Sequence, residues 1–383
     1  MRIAILNLTG GGMSGGYQTY IESLLPRLSA NKMVKAILCV APKTITLPQY
    51  LSQLPKVFFA NCRPFRPMRH HPDSELIQTL RQFSPNIIFI PVERYWRIPG
   101  LPTVVMVQNM GPLVPHTRYN PLSEKIRYAL QKYEAKFAVK HADLVIAPSQ
   151  FVQNFLIQNW KIPAERTAVI YYGSDHIDLS APMKKPALVS EKWANTFLFT
   201  AGSIEPYRGL EDIFSALEKL KNVPELSGVI IAGLARKNML AYQKKIKHWL
   251  VQHGLAEKVI WAGNLSKAEM DWCYHNCRAF IMTSRVESLS VISLEALAHR
   301  CVAIVANNPP FPEVFEKAAI YYPPGNGLAL AQKIETVWQW DKIKIEAARD
   351  HFKTRANAFS WDVTTENTIS EFAKCIKRYD QNH

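Results

Sequence analysis

Two doubly wound α/β domains are predicted for this chain, and three observations carry the prediction. Short continuous runs of Val, Ile, Leu and Phe alternate with helical patterns along almost the whole sequence. Twelve such runs occur, enough for two parallel sheets covered on both faces. The alternation lapses once, over 176–194, where no clear period holds and two prolines intervene. A length of 383 residues suits this division, at ~150 residues per domain.

In chain order, strands are expected over 2–8, 35–41, 86–90, 103–107, 143–147 and 167–171. They resume over 196–201, 228–232, 258–262, 279–283, 302–306 and 319–322. Helical periods fall between them over 17–30, 122–141, 209–221, 237–252, 291–299 and 327–339, and the tail 341–380 reads as helix again. The expected boundaries are a first domain over 1–178, a linker over 179–194, a second domain over 195–358, and a final helix over 359–383 that packs back on the first domain. Ligands of such sheets bind at the carboxyl ends of the strands, here expected in a cleft that the two domains face.

Composition narrows the class. Hydrophobic residues make up 48% and charged residues 20%, which excludes extensive disorder. Six cysteines are too few for a disulfide scaffold and fit a reducing cytoplasm. The opening apolar run is too short for a signal peptide, and nothing approaches the ~20 apolar residues of a membrane span. The expected location is therefore cytoplasmic. The net charge is +15 and uneven: residues 1–175 hold 20 basic and 9 acidic side chains, the remainder 26 and 22. An anionic partner is implied for the first half, such as a phosphorylated substrate, a membrane surface or nucleic acid. No recognition motif supports nucleic acid.

Three loops after strands carry chemistry. The first, TGGGMSGGYQTY over 9–20, matches G-x-G-x-x-G at Gly10, Gly12 and Gly15 between a strand and a helix. Glycines there let backbone N–H groups approach a phosphate at the helix N-terminus. The acidic residue that a bound NAD ribose wants is missing between Glu22 and Asp73, although Lys43 would suit NADP. A structural tight turn is the plain alternative. The second loop, AGSIEPYRGLEDI over 201–213, sets Arg208 at a helix start, where its fork can hold an anion. The third, over 283–301, sets Glu287 in a loop, Ser288 or Ser290 as helix cap, and Glu295 on the second helical turn. A carboxylate so placed can accept two hydrogen bonds from a diol such as a ribose.

With these residues in view, the sequence resembles the retaining GT-B glycosyltransferases of family 4, of the bacterial exopolysaccharide type, over nearly its whole length. The family's E-G-F-G-L-x-x-L-E-A stands here as E-S-L-S-V-I-S-L-E-A, Glu287 to Ala296. Its G-R-L-x-x-x-K-G stands as G-S-I-E-P-Y-R-G, Gly202 to Gly209, and its n-G-v-D as Tyr172 to Asp175. Ala147-Pro148-Ser149 and Pro312-Glu313-Val314 match two further short motifs. The resemblance implies two Rossmann-like domains, an acceptor-side one and a nucleotide-sugar-binding one. It implies a hexosyltransferase of class EC 2.4 acting on a nucleotide sugar, with UDP-glucose the first expectation and GDP-mannose the next. The acceptor would be a glycan or lipid-linked saccharide in exopolysaccharide or envelope polysaccharide synthesis, and no cofactor or metal is required.

Site residues follow from the same resemblance. Arg208 and Glu287 would be catalytic, Arg208 facing the leaving diphosphate and Glu287 the donor sugar. Glu295 would hold the ribose, the N–H groups around Ser290 and Val291 the sugar or phosphate, and Gly263, Asn264 and Leu265 the base. Gly15 and Gly16 match the glycine pair that approaches the diphosphate. Ser203 replaces the family's arginine, Ser288 and Ser290 replace glycines, and Gln108, followed by Asn109, replaces a histidine on the acceptor side. These departures leave a non-catalytic nucleotide-sugar binder as one alternative, and an NADP-dependent oxidoreductase as another.

Two more patterns bear on partners. Residues 122–141 form a helix whose Ile126, Leu130, Tyr133 and Phe137 share one face, expected to pack on the first sheet. Its lysines, with Arg63, Arg66, Arg69, Arg94 and Arg97, suggest contact with anionic lipid on the inner face of the plasma membrane. His70, His71 and Trp96 could border the acceptor, though packing in a surface loop explains them as well. Cys273, His275 and Cys277 invite a metal reading, but no further ligand pair completes a tetrahedral site, so packing explains them better.

Overall fold

A computed structural model describes residues 1–9, 15–45, 48–114, 120–174, 182–221, 223 and 225–382. They divide into two compact units. Unit 1 comprises Met1–Leu113, Ile126–Gly173 and Phe359–His383; unit 2 comprises Val114–Lys125 and Ser174–Ala358.

Unit 1 is built on seven parallel strands: β1 (Arg2–Leu6), β2 (Ala36–Pro42), β3 (Val57–Cys62), β4 (Ile87–Ile90), β5 (Thr103–Met106), β6 (Leu144–Ala147) and β7 (Thr167–Val169). Their order is β3-β2-β1-β4-β5-β6-β7, so the winding reverses between β1 and β4. Strands β4, β5 and β6 are buried along their whole length, which is why they read as unbroken apolar runs. Strand β3 was not among the expected strands. It lies at the sheet edge, with Phe58 55% and Phe59 42% exposed, and lacks the two-sided burial that marks the others.

Helices α1 (Gly15–Ala30), α2 (Ser74–Phe83), α3 (Leu122–His141) and α4 (Gln150–Trp160) intervene. Asp73 and Ser149 cap α2 and α4 by accepting the N–H groups of Leu76 and Val152. Helix α3 departs from expectation in its orientation. Ile126 and Tyr133 are 63% and 53% exposed, whereas Tyr128, Glu134, Ala135, Ala138 and Val139 are buried. Small side chains allow close approach on the buried face, and the larger apolar ones are left in solvent.

Unit 2 has six parallel strands: β8 (Phe197–Ala201), β9 (Gly228–Ala232), β10 (Val259–Gly263), β11 (Ala279–Met282), β12 (Ala303–Ala306) and β13 (Ile320–Tyr322). Their order is β10-β9-β8-β11-β12-β13, and the reversal falls between β8 and β11. Helices α5 (Leu210–Lys219), α6 (Leu240–Gln252), α7 (Lys267–Asn276), α8 (Val291–Ala298), α9 (Phe311–Phe315), α10 (Gly327–Trp338) and α11 (Lys342–Ala356) surround the sheet. Its core joins Leu198, Val229, Ile281 and Ile304 to Ile213 and Phe214 of α5 and Ile334 of α10. Of the expected linker 179–194, residues 179–181 lie outside the described residues, and 182–194 belong to unit 2. There the Lys184 N–H donates to Ala268 O over 3.1 Å, and Val189 is buried.

The last helix, α12 (Trp361–Asn382), packs in unit 1 against α1. Trp361 stacks on Tyr172 with centroids 6.2 Å apart, and Phe372 meets Phe89 at 5.1 Å. Each such fully buried ring contributes roughly 1.5–3 kcal/mol. Gly173 permits the crossing, because a Cβ there would lie 2.1 Å from Trp361 N. Among the described residues no helix is long and apolar enough to cross a membrane.

Candidate active site

Polar side chains gather in unit 2 at the carboxyl ends of β8 and β11, the pair between which the winding reverses. Such reversals open a crevice beyond the strand ends, where doubly wound sheets bind ligands. The β8–α5 loop supplies Arg208 and the β11–α8 loop supplies Ser284 and Glu287. One Arg208 terminal nitrogen donates to Glu287 Oε1 over 2.5 Å and to Ser284 Oγ over 3.3 Å. Both partners of the ion pair are largely buried, with side chains 14% and 13% exposed. A cavity of about 10 Å3, the size of a single water, is bordered by Ser203, Arg208, Thr283 and Ser284.

Local sequence explains the placement. Gly202 leaves β8 with φ +127°, and a Cβ there would come within 2.8 Å of Arg208 Cζ. Glycine therefore makes room for the guanidinium as well as the turn. The two loops are tied together by Thr283 Oγ1 donating to Arg208 O at 2.5 Å and the Arg285 N–H donating to Tyr207 O at 2.7 Å. Asn308 Nδ2 donates to Ser284 O and Arg285 O, at 2.9 and 2.6 Å. Arg285 in turn grips Asp212 of α5 with two bonds of 2.6 Å, and Tyr322 donates to the same carboxylate. Asp212, Tyr322 and Asn308 were not anticipated from sequence. They tie the loop of Glu287 to neighbouring elements.

Electrostatics favour a permanent cation. Burial works against the Arg208 charge, but Glu287, with Tyr207 and Glu205, outweighs it and holds the guanidinium proton more tightly than usual. Its Nε has no partner among the described residues. Burial raises the Tyr207 hydroxyl pKa, with Arg208 opposing.

Helix α8 brings in the second glutamate. Its cap, Ser290, has φ +78°, a conformation natural to glycine, and its Oγ accepts the Ser293 N–H. The serine thus keeps the backbone that the glycine of the motif would adopt. Val291 opens the helix, whose first N–H groups lack intrahelical partners. Glu295 accepts a 2.8 Å hydrogen bond from Tyr274 of α7. Burial raises the Glu295 pKa and the Tyr274 bond partly offsets this; burial, then Glu295, raises the tyrosine. Tyr274 was missed in the sequence because 21 residues separate it from Glu295. Gly263 ends β10, the edge strand, and Asn264 and Leu265 follow it; Gly263 O accepts the Gly233 N–H and Asn264 is exposed.

In unit 1, Gly15 and Gly16 are exposed at the start of α1, while Gly10 and Gly12 lie outside the described residues. Asn109, also exposed, donates its N–H to Glu93 Oε1 over 2.5 Å. Burial pushes the Glu93 pKa up, against the bonds from Asn109 and Gln108 backbone N–H groups. Gln108 follows β5, its amide toward Met106 Sδ at 3.7 Å. Glu93, in the loop after β4, is a carboxylate that sequence reasoning passed over. Cys273 and Cys277 are buried, and no group of metal ligands occurs among the described residues.

Comparison with known proteins gives a consistent picture. Residues 14–176 match the family model described as Glycosyltransferase Family 4, and residues 187–356 that of Glycosyl transferases group 1. The chain is 22% identical over 249 residues to the O-antigen chain mannosyltransferase RfbU of Salmonella typhimurium, covering 65% of this chain and 59% of that protein. It is 25% identical over 288 residues to the serotype-specific mannosyltransferase WbdA of Escherichia coli, covering 72% of this chain and 34% of WbdA. Less than two thirds of each relative's length is therefore spanned. Among solved structures, Anabaena HepE in complex with UDP-glucose aligns with TM-score 0.72 at 18% identity, over 99% of this chain and 100% of that one. Sucrose-phosphate synthase from Thermosynechococcus elongatus aligns with TM-score 0.74 at 15% identity, over 98% and 99%. At these identities the likeness is one of fold.

Proposed function

This chain belongs to the family 4 glycosyltransferases of GT-B fold, and from that premise we propose that it moves a hexose from a nucleotide sugar to a glycan or lipid-linked saccharide during bacterial surface-polysaccharide assembly. The observation that carries the reading is the buried Arg208–Glu287 pair at the β8/β11 reversal. In the reaction, the bond between the sugar's anomeric carbon and the diphosphate oxygen breaks, and the diphosphate leaves with the electron pair. An acceptor hydroxyl forms the new bond on the same face, which retains configuration, and its proton passes to the leaving phosphate. Negative charge grows on that phosphate, so fixed positive groups aimed at it lower the barrier. Arg208 and the N–H groups that open α8 fill this role, Glu287 contacts the sugar and Glu295 the ribose. Gly15 and Gly16 lie at the diphosphate, Gly263 to Leu265 at the base, Ser203 beside Arg208, and Gln108 and Asn109 on the acceptor side. No metal is needed for this chemistry, so turnover in EDTA should match turnover without it.

The curated relatives are mannosyltransferases, which favours mannose, carried on GDP, over the glucose first expected. UDP-glucose is the second reading, supported by the fold shared with the HepE complex. The enzyme would work on the cytoplasmic face of the plasma membrane. Leu122, Ile126 and Tyr133 share an exposed stripe of α3 flanked by Lys125, Lys132 and Lys136, a pattern suited to the interface of an anionic bilayer.

The test is thermal stabilisation by GDP, UDP, ADP and NADP, followed by nucleotide release from GDP-mannose and UDP-glucose. A ligand at 100 times its dissociation constant adds about 2.7 kcal/mol. A shift with GDP and turnover of GDP-mannose are expected. UDP alone would move the assignment to the second reading, and NADP alone would overturn both.

A further inference from the structure

Unit 1 carries a second concentration of unspent chemistry. A cavity of about 490 Å3 is lined by Met68, Arg69, His70, His71, Arg97 and Phe137. A second, of about 300 Å3, shares Arg69 and His71 with it and adds Arg63, Arg66 and Trp96 to the wall. Four guanidinium groups therefore border one concave surface. Among the described residues Asp73 is the single carboxylate lining it, and it lies 3.5 Å from Arg63. Among the described residues no carboxylate pairs with Arg66, Arg69 or Arg97.

The surface is built rather than incidental. Glu134 of α3, 1% exposed, accepts the Met68 N–H at 2.7 Å and bonds His70 Nε2 at 3.0 Å. His70 stacks on Phe137 with centroids 3.7 Å apart, and the Arg97 N–H donates to His70 O at 2.7 Å. Met68 is held at φ +63°, a strained conformation for a side chain of this kind. Buried bonds thus fix a loop whose exposed products are arginines. Clustered like charges left in solvent repel one another, and a phosphate satisfies several guanidinium forks at once.

We propose that this surface is a binding site for a phosphate or diphosphate ester. Phe137, itself half-buried, stands one helical turn after Tyr133, which belongs to the exposed apolar stripe of α3, so a diphosphate whose organic group is a lipid chain would meet apolar surface beside the arginines. Under the function proposed above, the ester is the phosphate end of the acceptor; only that identification, and not the binding, rests on the reading.

Calorimetric titration of the full chain with inorganic pyrophosphate tests it, with GDP or UDP present at saturation to fill the donor site. One saturable site is expected, weakened tenfold or more in Arg66→Ala/Arg69→Ala and in Arg97→Ala. Lys132→Ala/Lys136→Ala should stay within twofold of the parent. A short prenyl diphosphate that binds more tightly than pyrophosphate identifies a lipid-borne ester; equal affinity identifies a soluble one, and either supports the site. Absence of saturable binding, or equal loss in the lysine variant, would overturn the proposal in favour of a diffuse basic surface. Should neither nucleotide bind, the function reading fails alone, and the loop-arginine variants, compared with Arg208→Ala, still decide where pyrophosphate sits.

Discussion

The two sheets reverse their winding at equivalent points, yet the loops beside each reversal carry different chemistry. In unit 2 the β8/β11 reversal holds a buried cation, Arg208, against Glu287, next to the N-terminus of α8. In unit 1 the loops after β4 and β5 hold a half-buried carboxyl, Glu93, gripped by backbone N–H groups. A fixed cation suits a group that gains negative charge, as a leaving diphosphate does. A carboxyl with a raised pKa suits a neutral hydroxyl instead. Topology alone therefore does not distinguish the two sites; the chemistry placed on the same scaffold does.

The comparison breaks most visibly at Arg208. Arg208→Ala should lower turnover by about 10²–10³, as removal of one preorganised donor does, while donor affinity falls far less. An equal fall in both would make Arg208 a binding group only. Glu93→Gln should act on the other side, cutting turnover or raising the acceptor KM roughly tenfold, about the effect of one lost charge-assisted hydrogen bond. Its nucleotide-induced melting shift should match the parent, and a lost shift would erase the division of labour.

A smaller effect concerns the support of Glu295. His299 stacks on Tyr274 and lies 3.1 Å from Asp271; burial holds its pKa down at about 4. The unfolded chain takes up that proton near pH 6.5, so between pH 6.5 and 4 the unfolded state holds one proton more. Stability should fall as pH drops through this window, by at most about 1.4 kcal/mol per pH unit. Denaturant melts of His299→Asn should show a flatter profile over the same range. Smallest of all, Ser290→Gly should stabilise by up to about 1 kcal/mol, because relief of the positive φ exceeds the lost cap. A lower melting temperature would mean that the serine cap outweighs the strain.

What the sequence made legible follows burial. Strands β4, β5, β6, β8 and β11 are enclosed on both faces and announce themselves as apolar runs. Strand β3, half in solvent, does not. Helix α3 misled because its inner face is made of Ala135, Ala138, Val139 and a buried Glu134, while Ile126 and Tyr133 point outward. The spacing of Glu287 and Glu295, fixed by one loop and one helix, could be read directly. The partners that hold them come from other elements: Tyr274 from α7, Asn308 after β12, Asp212 from α5. Nothing in local spacing announces such contacts. The G-x-G-x-x-G match pointed to a phosphate and left a tight turn or a dinucleotide as alternatives, and family membership sets aside the oxidoreductase reading that followed from the last of these.

The most direct test of the donor assignment is the dissociation constant of GDP and UDP for Glu295→Ala beside the parent. A carboxylate bonding two ribose hydroxyls should be worth about 1.5–3 kcal/mol, so affinity should drop at least tenfold and the melting shift should largely vanish. Unchanged affinity in a folded variant would contradict the account, because the nucleotide would then bind away from the reversal in unit 2.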